Sequence, residues 1–361
     1  MRILLLNYEY PPLGGGAANA TEHILREFVG RKNLSVDLVT SAVGGREQIN
    51  LGGGVRVFRL NIGKRNNLTQ QSVVDLLRYS FSGYFFADKL LSRNRYDYIH
   101  AFFGVPCGAM ARRLSRKRGV PYLVSLRGAD VPGFSDRYER LYPFLRPLIR
   151  QVWREAAAVV ANSASLADLA RETSPEQEIK IIHNGIDTEF FRPAEDYRPP
   201  REKGVFVVLM AGRLMRRKGF RYGLEAFAKL RDRHPGENIK MIIAGGEGNV
   251  AAELRRLSAS LGLSGSVLFA GHLSREELSR TYRKADVFLF PSLNEGMSNN
   301  MLEALSCGLP IVMTRVGGSE ILTDRENAFL VDRGNPEQIF LALEELFADG
   351  EKILTMRRAN R

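Results

Sequence analysis

Short apolar runs alternate with longer stretches whose apolar positions recur at helical spacing, and the alternation continues from one end of the chain to the other. This pattern predicts parallel sheets covered by helices, an α/β fold. The runs that read as strands in the first half are 2–6, 36–40, 55–60, 98–101, 122–126, 158–161 and 179–182. In the second half they are 205–211, 239–244, 267–270, 287–290, 311–314 and 329–331. Residues 19–29 and 336–348 carry the helical pattern most plainly. Two sheets of similar size follow, and a stretch rich in proline and charge at 192–204 reads as the linker between them. The expected division is 1–195 and 196–361. Two Rossmann-like halves joined there would face each other across a cleft, with ligands at the carboxyl ends of the strands.

A chain of 361 residues is too long for one small core, and 44% hydrophobic with 25% charged residues excludes wholesale disorder. Only Cys107 and Cys307 occur, which excludes a disulfide framework or a cysteine-based metal site and fits a reducing cytoplasm. The run 3–6 reads as a first buried strand rather than a leader, and no apolar stretch is long enough to span a membrane. The net charge is +12, and residues 1–195 hold 27 Lys and Arg against 19 Asp and Glu. Such a surface attracts nucleic acid, anionic membranes or acidic substrates.

The richest chemistry lies between Phe290 and Pro310. A strand-like run breaks at Pro291, and a helix-like run begins near Ser298, a candidate N-cap. Unpaired N–H groups at such a start bind phosphate, and Gly296, Met297, Ser298 and Asn299 would supply them. Glu295 and Glu303 flank it. Ionised carboxylates only accept hydrogen bonds, so they suit the hydroxyls of groups attached to that phosphate. A nucleotide-sugar has this layout. Upstream, Arg213 and Lys218 bracket a strand-to-helix turn and can both reach one diphosphate, whereas Arg216 and Arg217 read as surface charge. Glycine turns follow predicted strands at Gly14, Gly15 and Gly16, at Gly245 and Gly246, and at 317–318, where a backbone can approach a ligand closely.

Together these segments resemble the retaining glycosyltransferases of family four, which have two Rossmann-like domains in the GT-B fold. The resemblance implies that Glu295 meets the donor sugar, Glu303 holds the ribose hydroxyls, and Arg213 and Lys218 stabilise the departing nucleoside diphosphate. It also brings the loop Gly14–Gly16 and the turn at Gly245 and Gly246 close to the donor. Phe102 stands where the family often has a second histidine after His100, and Arg127 takes the histidine place of a segment ending in Asp130. These four are the acceptor-side candidates. The turn 184–187 resembles the family's interdomain turn, and 269–272 a stretch near the base.

No Asp-x-Asp occurs, so the expected enzyme needs no metal or other cofactor, its donor being UDP- or GDP-linked. The acceptor would be a saccharide, a lipid-linked saccharide or a small molecule, bound by the first domain. Residues 136–154 alternate apolar and arginine positions, and 112–118 form a second basic cluster, so contact with the inner face of an anionic membrane is a candidate property. No nucleic-acid partner is expected. Two other readings stay open on the residues: a nucleotide-sugar epimerase of the same fold, and a basic nucleic-acid-binding scaffold. The family usually ends in a helix crossing back to the first domain, and most of that helix is expected to be missing here.

Overall fold

A computed structural model describes residues 1–64, 68, 71–134, 139–197 and 199–360. The chain divides into two units, 1–184 and 185–361. The first contains β1 (Arg2–Leu6), α1 (Gly16–Phe28), β2 (Ser35–Val43), β3 (Glu47–Gly52), β4 (Val55–Lys64) and α2 (Val73–Arg93). It continues through β5 (Tyr98–Phe102), α3 (Ala109–Arg118), β6 (Tyr122–Ser125), α4 (Tyr142–Glu155), β7 (Ala158–Ala161), α5 (Ala164–Thr173) and β8 (Lys180–Ile181). Its sheet runs β3-β4-β2-β1-β5-β6-β7-β8. All pairings are parallel except β3 with β4. The strand order reverses between β1 and β5, the crevice where doubly wound sheets bind ligands.

The second unit begins with the short α6 (Pro200–Lys203) and β9 (Phe206–Ala211), then α7 (Phe220–Arg233), β10 (Ile239–Ala244), α8 (Ala251–Ser260) and β11 (Val267–Gly271). It closes with α9 (Arg275–Lys284), β12 (Val287–Phe290), α10 (Asn299–Ser306), β13 (Ile311–Thr314), β14 (Ala328–Val331), α11 (Pro336–Ala348) and α12 (Gly350–Ala359). Its parallel sheet runs β11-β10-β9-β12-β13-β14, with the reversal between β9 and β12. Buried Val208, Met210, Met241, Ile243, Leu289 and Val312 pack the sheet against its helices. Each such side chain contributes roughly 1.5–3 kcal/mol of burial.

The division falls earlier than the proline-rich stretch suggested. Residues 185–195 belong with the second unit because Phe191 is buried in its core, the Phe191 carbonyl accepts from Ser306, and Asp187 pairs with Arg275 at 3.0 Å. The antiparallel β3 was not legible either. It is a polar, largely exposed edge strand and lacks the apolar run that marks the others. Of the basic stretch 136–154, residues 136–138 lie outside the described residues. Residues 139–141 form a turn and 142–154 lie in α4, with Pro143 in its first turn and Ile149, Val152 and Trp153 buried against the first sheet.

Candidate active site

Close backbone contacts set the second unit's site at the carboxyl ends of β9, β10 and β12. A Cβ on Gly245 would lie 1.9 Å from the Gly212 carbonyl oxygen, one on Gly248 2.1 Å from that of Leu214, and one on Gly219 1.8 Å from that of Pro291. Only glycine fits these positions. Gly219 also holds φ at +66°, a left-handed conformation that favours glycine. The turn Arg216–Lys218 is thereby pressed against the loop after β12. Leu293 N–H donates to the Arg217 carbonyl at 2.7 Å and Ser292 Oγ to the same oxygen at 3.1 Å.

This seam delivers Lys218 Nζ to Glu295 Oε1 at 2.7 Å. Arg217 Nη1 donates to the same oxygen at 2.7 Å and to the Asn294 carbonyl at 3.1 Å, and Ser292 Oγ donates to Glu295 at 3.0 Å. Burial alone would push the Glu295 carboxyl up, but Lys218 and Arg217 hold it below the usual carboxylate range. It is therefore ionised. Lys218 is buried, and its ammonium feels repulsion from Arg217 and Arg213 as well as attraction to Glu295. Cations thus surround a single sealed carboxylate.

Arg217 is the residue the sequence misassigned. It sits in a run of three cations, of which Arg216 turns outward to Glu253 while Arg217 turns inward to Glu295. Replacing Arg217 by alanine should slow turnover by the site about tenfold, the loss of one charge-assisted hydrogen bond, with partial recovery in Arg217→Lys. Wild-type turnover by the alanine variant would return it to the surface.

The α10 start lies on the same loop. Gly296, Met297 and Ser298 are buried there and Asn299 is half-buried. A Cβ on Gly318 would come within 3.7 Å of Met297 Cα, so the glycine turn after β13 packs on this start. Ser298 occupies the N-cap position, but its side chain makes no capping bond. Glu303, one turn further on, is held apart from the Lys218–Glu295 pair. Its carboxylate accepts from Tyr282 Oη at 3.0 Å, and Asn300 Nδ2 is 3.5 Å away. Burial pushes its carboxyl up to about 7, against the opposing pulls of Tyr282 and Arg275. Gly246 accepts from the Leu214 N–H, which ties the β10 turn to the Arg213 loop.

In the first unit the glycine loop is already engaged. Gly14 N–H donates to the Leu68 carbonyl, Gly15 N–H reaches Glu9 Oε2 at 3.4 Å, a Cβ on Gly14 would lie 2.6 Å from Glu9, and one on Gly16 would meet open space. His100 Nε2 lies 2.8 Å from Ser125 Oγ. Burial, reinforced by Arg127, drives its imidazole down to about 3, so it is neutral. Phe102 is buried, with the Arg127 guanidinium carbon 3.9 Å from its ring centre. Asp130 accepts from the backbone N–H groups of Gly104 (2.7 Å), Arg127 (2.9 Å) and Gly128 (3.1 Å). It holds two loops together and makes no ion pair with Arg127 among the described residues.

The basic cluster on α3 is partly paired, and Arg113 lies over the Tyr84 ring. Arg112 and Arg116 share Glu155, and Lys117 and Arg118 share Asp88.

Residues 14–190 match the model of Glycosyltransferase Family 4, and residues 205–349 match that of Glycosyl transferases group 1. The chain belongs to these glycosyltransferases, and its fold is GT-B. A D-inositol 3-phosphate glycosyltransferase of Corynebacterium jeikeium is 29% identical over 99% of this chain and 90% of its own length. An uncharacterized glycosyltransferase of Methanocaldococcus jannaschii is 28% identical over 97% and 90%. Among solved structures, sucrose-phosphate synthase from Thermosynechococcus elongatus superposes with a TM-score of 0.83 at 21% identity, covering all of this chain and 93% of that one. Anabaena HepE, solved with UDP-glucose, reaches 0.75 at 20% identity over 100% and 93%. These matches favour neither an epimerase nor a nucleic-acid scaffold. Among the described residues no helix is long and apolar enough to cross a membrane.

Proposed function

We propose that the chain transfers a hexosyl-type sugar from a UDP- or GDP-linked donor to a hydroxyl of an acceptor bound by the first unit, with retention of configuration and without a metal. The observation that carries this reading is the Lys218–Glu295 contact, flanked by Arg217 and Arg213 beside the α10 start. In the free enzyme the ammonium and the carboxylate neutralise each other. A nucleotide-sugar brings hydroxyls for Glu295 and phosphates for Lys218, and Glu303 would accept from ribose hydroxyls. The acceptor oxygen bonds to the anomeric carbon as the bond from that carbon to phosphate breaks. The acceptor proton passes to the departing phosphate oxygen, and protein cations offset the growing charge. Chelation with EDTA should then leave the rate unchanged.

Calorimetric titration with UDP-glucose and GDP-mannose tests the donor assignment, and binding of neither would remove it. The diphosphate in these donors does not titrate near neutrality, so Glu303 should set the pH dependence. Affinity should fall by up to tenfold per unit below about pH 7, where the carboxyl protonates, loses its charge and turns one of its two oxygens into a donor. Glu303→Gln should flatten the profile. The folded free protein binds this proton more tightly than the unfolded chain, so it loses stability as pH rises from 4.5 towards about 7. Donor stabilisation should grow over the same interval.

Membrane contact finds better support on α2 than on α4. Leu77, Phe81 and Phe85 follow one another at four-residue spacing and are 64%, 69% and 55% exposed, with Arg78 and Lys89 also exposed on that helix. Flotation with vesicles containing anionic lipid should recover the protein, and Phe81→Ser with Phe85→Ser should lose it. Equal recovery of both would dismiss the surface.

A further inference from the structure

Glu303 turns its two oxygens to different surroundings. Oε2 accepts from Tyr282 Oη at 3.0 Å, with Asn300 Nδ2 at 3.5 Å. Oε1 accepts no hydrogen bond among the described residues, and it is not one of the sealed polar atoms left without a partner, so it has open surface beside it. The carboxylate is gripped on one side and offered on the other.

The grip has a direction. Asn300 Nδ2 also donates to Tyr282 Oη at 3.2 Å, which fills an acceptor position of that oxygen and leaves its single proton to be given away. Two acceptors lie within reach, Glu303 Oε2 at 3.0 Å and the Asn300 carbonyl at 3.2 Å. The carboxylate is nearer and charged, and a hydrogen bond to an ionised acceptor is roughly twice as strong as one between neutral groups. The proton therefore goes to Glu303. Burial and the Glu303 charge push the Tyr282 hydroxyl well above its ordinary range, so it remains a donor at neutral pH.

The ring that carries this hydroxyl is fixed by packing. Tyr282 is fully buried on α9, edge-on to Phe288 of β12 at 5.7 Å between ring centres and to Phe191 at 6.1 Å. A phenylalanine would meet the same rings, so the buried hydroxyl is explained by what it bonds rather than by what it fills. The other titratable groups that bear on Glu303 are Arg275 of α9 and Cys307 of α10. Arg275 attracts the carboxylate but is tied to Asp187 at 3.0 Å and lies over the Phe190 ring at 4.0 Å. Burial pushes the Cys307 thiol up to about 12, which leaves it neutral.

We propose that Tyr282, oriented by Asn300, is a positioning residue for the donor: it holds Oε2 of Glu303 and presents Oε1 as the acceptor for the ribose hydroxyls. The grip stands on the geometry of the second unit alone. Its consequence for the ribose rests on the donor reading above.

The test follows the carboxyl carbon resonance of Glu303 against pH in the free full chain, labelled at its glutamate carboxyls, with Glu303→Gln to assign the signal. Wild type should titrate near pH 7. Tyr282→Phe, which keeps the ring and its packing, should raise that midpoint by about one unit, the effect of losing one hydrogen bond to a charged group. Asn300→Ala should move it the same way by less. An unchanged midpoint in Tyr282→Phe would overturn the grip. Titration of the same proteins with UDP-glucose then reads the consequence. The pH below which affinity falls should rise in Tyr282→Phe by the interval seen in the resonance, whereas a tyrosine that only supports the fold would weaken binding equally at every pH and overturn the positioning role. If the resonance moves as expected while UDP-glucose binds wild type independently of pH, or not at all, the ribose reading of Glu303 falls and the grip on its carboxylate stands.

Discussion

Replacing Lys218 by alanine should lower sugar transfer by roughly 100-fold to 1,000-fold, the loss expected when one preorganised donor to a developing anion is removed. The substitution acts twice. It takes away a cation that would meet the departing diphosphate, and it leaves Glu295 with Arg217 and the Ser292 hydroxyl, so burial would drive that carboxyl upward. Breaking a buried pair from one side also costs about 3–5 kcal/mol of stability, because the remaining charge is stranded. The double variant Lys218→Ala, Glu295→Ala should recover much of that stability and none of the activity. Turnover and urea midpoints of Lys218→Ala and the double variant check the prediction. A single variant with full turnover would remove Lys218 from the mechanism.

Gly219→Ala should be the most damaging methyl group that can be added to the second unit. Two penalties combine: a left-handed conformation costing about 1 kcal/mol, and a Cβ 1.8 Å from the Pro291 carbonyl oxygen, where overpacking adds about 1–3 kcal/mol. The backbone must part there, carrying Arg217 and Lys218 away from Glu295. Activity should fall with stability. Gly236 supplies the control, since it holds φ at +92° with nothing within 4 Å of a Cβ. Gly236→Ala should cost about 1 kcal/mol and leave turnover intact. If the two variants unfold at the same urea concentration, the close contact is not what holds the loop.

The parallel sheets were legible because central strands such as β1, β12 and β13 are buried on both faces and write continuous apolar runs. Strands such as β1, β7, β10, β12 and β13 coincide with those runs. The pairing of Lys218 with Glu295 was foreshadowed by their places after β9 and β12. These are neighbours at the reversal of the strand order.

What stayed hidden depends on direction rather than composition. Arg216 and Arg217 are identical in type and adjacent in sequence, and only the turn geometry sends one to Glu253 and the other to Glu295. Asp130 offered a carboxylate but not the three amides that consume it. Ser298 was recognisable as the residue before α10, but its type did not reveal that its side chain makes no capping bond. The polar edge strand β3 is paired by backbone hydrogen bonds on one side and has little side-chain burial to declare it.

The glycine contacts at 219, 245 and 248 have an evolutionary consequence. Because three loops are keyed together through main-chain atoms, their spatial relation does not depend on which side chains they display. Descendants of this chain could exchange residues along the rim to accept new sugars while inheriting the same frame, and drift at those three positions should be purged far more strictly than drift beside them.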